Sequence, residues 1–449
     1  MPFLILFLSL IKTITSQQES KTLFVFEHCR HGARGMKDLF NEKDILNEKW
    51  IGKEELSSVG LRQHYLLGVL IRKKYKNLLN WDNLNNLKDI FVYSTPSNRT
   101  IVSARAQLFG MFNYNNNSKL SEKQIIKATP NYLKNNSIFE ELIKNLSDSV
   151  LPNKIPSEIP IHIIEREEKL FQFEKDEQCE GIKKKKKKNE MKTQVKNSIK
   201  EFNELFITDE LKKYLNCKND SEKDFTKLKN IQTLALSYII NKVDGRNLIE
   251  FEKLLKNKNS KLFYDKCMEI LQQKSLEIQS GDNENLIAYA SSSVLLRFIL
   301  NLIDKVVEND KLNKTKNNVP KFFLLSAHDT TLVMASDLLK ILFNSEKKFP
   351  SFATSQIFEL IKSNNEYYIN LIFNNETTIQ KNIKYGEFKQ IIEEKCWSLE
   401  QTGIFCGFIK KTFNGWKTLT FIFGFSCIIV ILLFLLKCYL KKRENIIEL

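Results

Sequence analysis

The run Leu23-Phe24-Val25-Phe26 leads through Glu27 and His28 into Cys29-Arg30-His31-Gly32-Ala33-Arg34-Gly35, and this stretch decides the fold. A short apolar run bounded by Gly predicts a β-strand that ends in a turn. Gly residues there permit close backbone approach or a positive φ. Two guanidiniums around one imidazole offer forked donors suited to a tetrahedral phosphate, with a nucleophile, base or acid between them. A phosphoryl group is expected to land on this turn.

Downstream, the segment from Glu54 to Tyr75 repeats Leu61, Tyr65, Gly68, Leu70 and Ile71 at helical spacing, with Ser57 or Ser58 available as its cap. Strand, turn and helix make the first half of a βαβ unit. His64, on this helix, reads as a core or interface histidine. A second strand, Asp89 to Tyr93, runs into Ser94-Thr95-Pro96-Ser97-Asn98-Arg99-Thr100 and a further helix. Arg99 therefore falls at a strand-to-helix junction, where an anion also meets free backbone N–H groups. After an apolar helix over Leu286 to Asp304, a third strand, Lys321 to Ala327, ends at His328-Asp329, and Leu332 to Phe343 is a helix. Ligands of open parallel α/β sheets bind beyond the carboxyl ends of the strands. The sequence thus predicts a doubly wound, mainly parallel α/β sheet whose crevice gathers Arg30, His31 and Arg34, then Arg99, then His328 and Asp329.

Regular alternation breaks down over residues 113–240, which read as a mostly helical cap inserted into a core of residues 17–112 and 241–395. Glu366 to Phe373 and Thr377 to Ile383 read as a β-hairpin, followed by a short helix from Phe388. The ends carry addresses. Residues 1–16 have the apolar run and small polar residues of a signal peptide. Residues 419–436 lack charge and suffice for one membrane span, with Lys437, Lys441, Lys442 and Arg443 placing the tail 437–449 in the cytosol. Residues 396–418 become a juxtamembrane stalk, and the chain a type I membrane protein with a lumenal or extracellular body. Eight Cys without a C-x-x-C pair favour disulfides over zinc, and seven N-x-S/T sequons suit a secreted glycoprotein.

The net charge of +16 has its sharpest source in Lys183 to Lys188, flanked by acidic residues and without interleaved aromatics. Such a tract fits a solvated loop rather than a nucleic-acid platform. No nucleic-acid partner is expected, and the sequence leaves a homodimer open.

Three arginines and a histidine around one anion suit phosphoryl transfer, where catalysis is largely positioning and charge stabilisation. His31 must be neutral to attack, and the arginines favour that form. Hydrolysis of the resulting phosphohistidine by water completes the cycle. His328 can donate a hydrogen bond to the phosphate, and Asp329 is the natural acid for the leaving alkoxide. The scheme calls for no metal and no cofactor.

Arg30-His31-Gly32-Ala33-Arg34 resembles the RHGxR motif of the histidine acid phosphatases, a branch of the histidine phosphatase superfamily. Ser326-Ala327-His328-Asp329-Thr330-Thr331 is similar to that family's later HD motif, and the segment from Ser94 to Ala104 to the one supplying its third phosphate-binding arginine. Leu61 to Gly68 resembles the helix after the first motif. The resemblance implies acid-pH hydrolysis of small phosphate monoesters, with His31 as nucleophile and Asp329 as proton donor. Phosphate would be bound by Arg30, Arg34, Arg99 and His328. Restriction to lysophospholipids or inositol phosphates is an alternative, as is a silent phosphate-binding protein. The combination of signal peptide and C-terminal span resembles the lysosomal-type members. Cys179 and Cys396 look like a family disulfide, Cys267 is the partner considered for Cys217, and Asn98, beside Arg99, is expected to carry no glycan. The family often has Pro where this chain has Met36.

Overall fold

The computed structural model describes residues 20–36, 52–79, 81, 88–112, 127, 159–164, 179–182, 184, 193–214, 228–279, 286–313, 319–345, 350–374 and 377–409. The expected signal peptide, membrane span and tail lie outside these residues. In chain order the elements open with β1 (Lys21–Arg30), α1 (Ser58–Lys74), β2 (Ile90–Ser94), α2 (Asn98–Phe112) and β3 (Ile161–Ile163). A helical series follows: α3 (Thr193–Phe206), α4 (Asp209–Tyr214), α5 (Leu228–Val243), α6 (Ile249–Lys253), α7 (Ser260–Gln279) and α8 (Leu286–Lys311). The chain then returns to the sheet with β4 (Phe322–Ala327), α9 (Asp329–Phe343), β5 (Ser355–Ser363), β6 (Glu366–Phe373) and β7 (Thr377–Lys384). It closes with α10 (Tyr385–Lys395) and α11 (Leu399–Cys406).

Among the described residues seven strands form one sheet in the order β3-β2-β4-β1-β5-β6-β7. β3, β2, β4 and β1 run parallel, and β5, β6 and β7 add to β1 as an antiparallel meander. The sheet is therefore mixed rather than mainly parallel. The cause is local: β5 and β6 are joined by Asn364-Asn365 with φ of 50° and 61°, the left-handed pair that a tight hairpin requires, so no crossover helix intervenes. Ile161–Ile163, assigned to the insertion from sequence, is an edge strand paired with β2.

Alternation along the central strands buries both faces. Phe24, Phe26, Phe323 and Leu325 point into one core, against α8, α9 and α10. Val25, Cys29, Phe322 and Leu324 point into the other, against α1 and α2. Among the described residues only α8 is long and apolar enough to cross a membrane, yet Leu296, Ile299 and Ile303 place its apolar side in the first core.

A third cluster joins α3 to α7 and receives Ala33, Met36, Val59 and Phe352 from the sheet domain. It extends to Ile270, and the expected boundary at 240 falls inside α5. At the far end the folded body continues past Cys396. Helix α11 is capped by Ser398, which accepts from the Gln401 N–H, and Cys406 is disulfide-bonded to Cys179. Cys396 is instead a buried free thiol beside Ser293 and Arg297, as is Cys267 in the third cluster. Cys217 lies outside the described residues.

Candidate active site

β2, β4 and β1 are consecutive parallel neighbours, so their carboxyl ends and the turns that follow share one edge. The backbone around His31 is fixed on three sides. The Arg30 N–H donates to Thr354 O at 2.8 Å, the His31 N–H to Ala327 O at 3.0 Å, and the Ala353 N–H to His31 O at 3.2 Å. Gly32 serves close approach rather than positive φ: a Cβ there would lie 2.4 Å from Gly60 O, at the start of α1. Gln63 accepts from the Ala33 N–H at 2.9 Å, and the Ser57 N–H donates to Ala33 O at 2.9 Å.

The imidazole of His31 is buried, and its Nδ1 donates to Gly32 O at 2.8 Å. A carbonyl only accepts, so the neutral ring carries its lone pair on Nε2. Burial first, then the charges of His328, Arg30, Arg34 and Arg99, hold this imidazole neutral well below the ordinary range. The arginines thus reinforce an effect that burial dominates.

Arg30 stacks over the Phe352 ring at 4.2 Å, donates to Pro350 O at 2.7 Å and pairs with Asp329 at 2.9 Å. Arg34 and Arg99 both face Glu54, each at 3.8 Å. Glu54 has φ of 61°, an uncommon conformation for a side-chain-bearing residue. Arg99 also donates to His328 Nδ1 at 3.2 Å, while His328 Nε2 lies 2.8 Å from Thr95 Oγ1. That fixes the Nε2–H tautomer and leaves both ring nitrogens on protein partners, so a hydrogen bond from His328 to phosphate requires it to release Thr95. Its pKa is pushed down to about 3, chiefly by burial and then by Arg99. The rings of His31 and His328 meet edge to face with centroids 5.4 Å apart. All six residues singled out from sequence therefore belong to one connected cluster.

Sequence reasoning missed Glu54 and Phe352, which lie in no recognisable motif, and gave no role to Thr95, which lies in the segment that carries Arg99. His64 is the core histidine that the sequence predicts. This fully buried ring has Nε2 3.0 Å from Arg30 O and Nδ1 3.1 Å from Gln107 Oε1. Gln107 Nε2 lies 2.6 Å from Glu27, whose carboxyl is pushed up to about 8 by burial. A buried polar chain thus braces the His31 turn from behind. Met36, in place of the family's Pro, is buried in the helical cluster and accepts from Asn241 Nδ2 through its sulfur at 3.4 Å, tying the turn to α5.

Beside Arg30, Gln63 and Phe352 opens a cavity of about 570 Å³ whose far wall is made by α5 and α7.

The family model of the histidine phosphatase superfamily (branch 2) matches residues 14–374. Prostatic acid phosphatase of Bos taurus is 35% identical over 111 residues, 24% of this chain and 28% of the bovine protein. Lysosomal acid phosphatase of Rattus norvegicus is 34% identical over 90 residues, 20% of this chain and 21% of the rat protein. These matches span only about a quarter of the curated relatives' length. The phytase from Citrobacter braakii shares the fold at a TM-score of 0.52 and 14% identity, over 84% of this chain and 98% of the phytase. Matched from before the His31 turn to beyond β6, the chain belongs to the histidine phosphatase superfamily, branch 2.

Proposed function

We propose that this protein hydrolyses phosphate monoesters in the manner of an acid phosphatase, through a phosphohistidine on His31. The observation that carries the proposal is the His31 ring: Nδ1 is committed to Gly32 O, and the Nε2 lone pair belongs to a cluster with three guanidiniums. Arg30, Arg34 and Arg99 bind the phosphoryl oxygens and neutralise charge as the transition state forms. Nε2 attacks phosphorus, the ester P–O bond breaks, and the departing oxygen takes a proton from the Asp329 carboxyl. Water then attacks the phosphohistidine, giving its proton to Asp329 and releasing inorganic phosphate. His328 orients Arg99 and contributes a donor to the phosphate on leaving Thr95.

His31→Ala is expected to abolish turnover of an aryl phosphate at acid pH. Brief exposure of the unaltered protein to labelled substrate should leave acid-labile, base-stable phosphate on His31. Full activity in the purified variant would sink the proposal.

The body is proposed to sit in a lumen or outside the cell, anchored by residues 419–436. The disulfide between Cys179 and Cys406 supports an oxidising compartment, as do the lysosomal and prostatic relatives. Protease protection of a tagged tail in sealed vesicles tests the orientation.

A further inference from the structure

Resting on the proposed phosphatase activity, we infer that the cavity beside Arg30 receives the leaving group of the substrate, and that this group is an alkyl chain rather than a polyphosphorylated ring. The cavity reaches the catalytic cluster through two residues. Arg30 closes its inner end and pairs with Asp329, and Phe352 lies under the Arg30 guanidinium and 5.9 Å from the His31 ring. A phosphoryl group on Arg30 therefore has its ester oxygen at the inner end of this cavity.

Much of the remaining wall is apolar. Leu236, Ile239 and Val243 come from α5, and Met268 and Leu271 from α7. Leu236, Val243, Met268 and Leu271 are only partly buried although they pack on the helical cluster, which leaves apolar surface facing the cavity. A volume of about 570 Å³ is in the range of small-molecule sites.

Its charges speak against a polyanion. Lys242 is held by Glu252 at 2.9 Å and Lys261 faces Asp265 at 4.0 Å, so two of the three lining lysines are already matched by carboxylates. Asp265 itself lines the space. Among the described residues Lys127 adds one further lining lysine, short of what several phosphates would need. A single phosphate on the arginines with an alkyl chain along α5 and α7 satisfies both halves of the site.

The test is a homologous series, ethyl to octyl phosphate, assayed on the full chain alongside inositol hexakisphosphate. Each buried methylene is worth roughly three- to fourfold, so kcat/KM should climb at about that rate until the cavity fills and exceed that for inositol hexakisphosphate. Leu236→Gln and Met268→Gln should flatten the slope. Equal rates along the series, preference for inositol hexakisphosphate, or an unchanged slope in both variants would overturn the inference while leaving the phosphatase activity standing. Total absence of turnover would instead strike the proposed activity. Calorimetric binding of the matching alkylphosphonates then decides the cavity alone, a rise in affinity with chain length supporting it and a flat series refuting it.

Discussion

Asp329 Oδ2 stands 2.9 Å from Arg30 Nη2, so the proposed proton donor rests on one of the guanidiniums proposed to hold the substrate. A phosphoryl dianion arriving at Arg30 competes with Asp329 for it, turning the carboxyl towards the ester oxygen. Asp329→Asn should lower kcat about 10²–10⁴-fold for alkyl phosphates, the usual weight of a general acid. Aryl phosphates with good leaving groups should suffer much less. Rates plotted against leaving-group pKa test this, and a uniform loss across the series would remove Asp329 from the acid role.

Glu54 offers its carboxylate to both Arg34 and Arg99. It occupies part of the electrostatic demand that the substrate must later meet. Glu54→Gln is expected to lower KM for a monoester, and Ki for inorganic phosphate, by about two- to fivefold, in keeping with a partly exposed ion pair. Steady-state kinetics at constant ionic strength would show it, and weaker phosphate binding in the variant would mean that Glu54 orients the arginines instead.

Glu27 couples stability to pH. Burial pushes its carboxyl up to about 8, from an ordinary value near 4.5, against opposing contributions from Gln107, Lys74 and Ser355. Between those limits the folded chain keeps a proton that the unfolded chain has lost. Its contribution is therefore complete at low pH and declines as pH rises through 8, by up to about 1.4 kcal/mol per pH unit. Glu27→Gln should flatten the fall of Tm between pH 5 and 8.5 in calorimetry. His28, His64 and His328, pushed down to about 3, 4 and 3 mainly by burial, act in the opposite sense. Their contribution is present above the ordinary histidine pKa and is lost as pH falls towards those values. An unchanged alkaline slope in the Glu27 variant would show that the carboxyl is ionised in the fold.

The Cys179–Cys406 link spans 227 positions in sequence. Cys406→Ser should cost about 2–5 kcal/mol of stability, the range for loss of a native disulfide. The same loss should follow reduction of the unaltered chain. Cys396→Ser breaks no covalent link, so non-reducing peptide mapping should still recover the Cys179–Cys406 peptide from it. Recovery of a Cys179–Cys396 peptide from the unaltered chain would refute this assignment.

How far the sequence foretold these features depends on what each residue does. Arg30, His31, Arg34, His328 and Asp329 lie at strand ends marked by apolar runs, and each must be a particular chemical type, so both place and identity were readable. β5 was not, because its inward residues include polar ones. Gln356 donates to Leu332 O, and Glu359 accepts from Tyr75 Oη at 2.7 Å, which breaks the apolar alternation. The partner of Cys179 was misassigned because Cys396 and Cys406 differ by one short helix, and only the docking of α11 brings the second within reach. Glu54 reaches the arginines through a left-handed backbone that nothing in its neighbourhood announces.

β1 is flanked in the sheet by β4 and β5, which follow it by about three hundred residues. During synthesis the strand that leads into His31 emerges first, yet one edge stays open until β4 has been made and the other until residues beyond 354 have been made. Such distant pairing is slow to form and leaves Phe24, Val25 and Phe26 without their final neighbours for most of translation. Every chain terminated before residue 353 lacks β5 and also the Thr354 carbonyl and the Ala353 N–H that seat the His31 turn. The proposed phosphatase activity is therefore withheld from the nascent chain and acquired only near its completion.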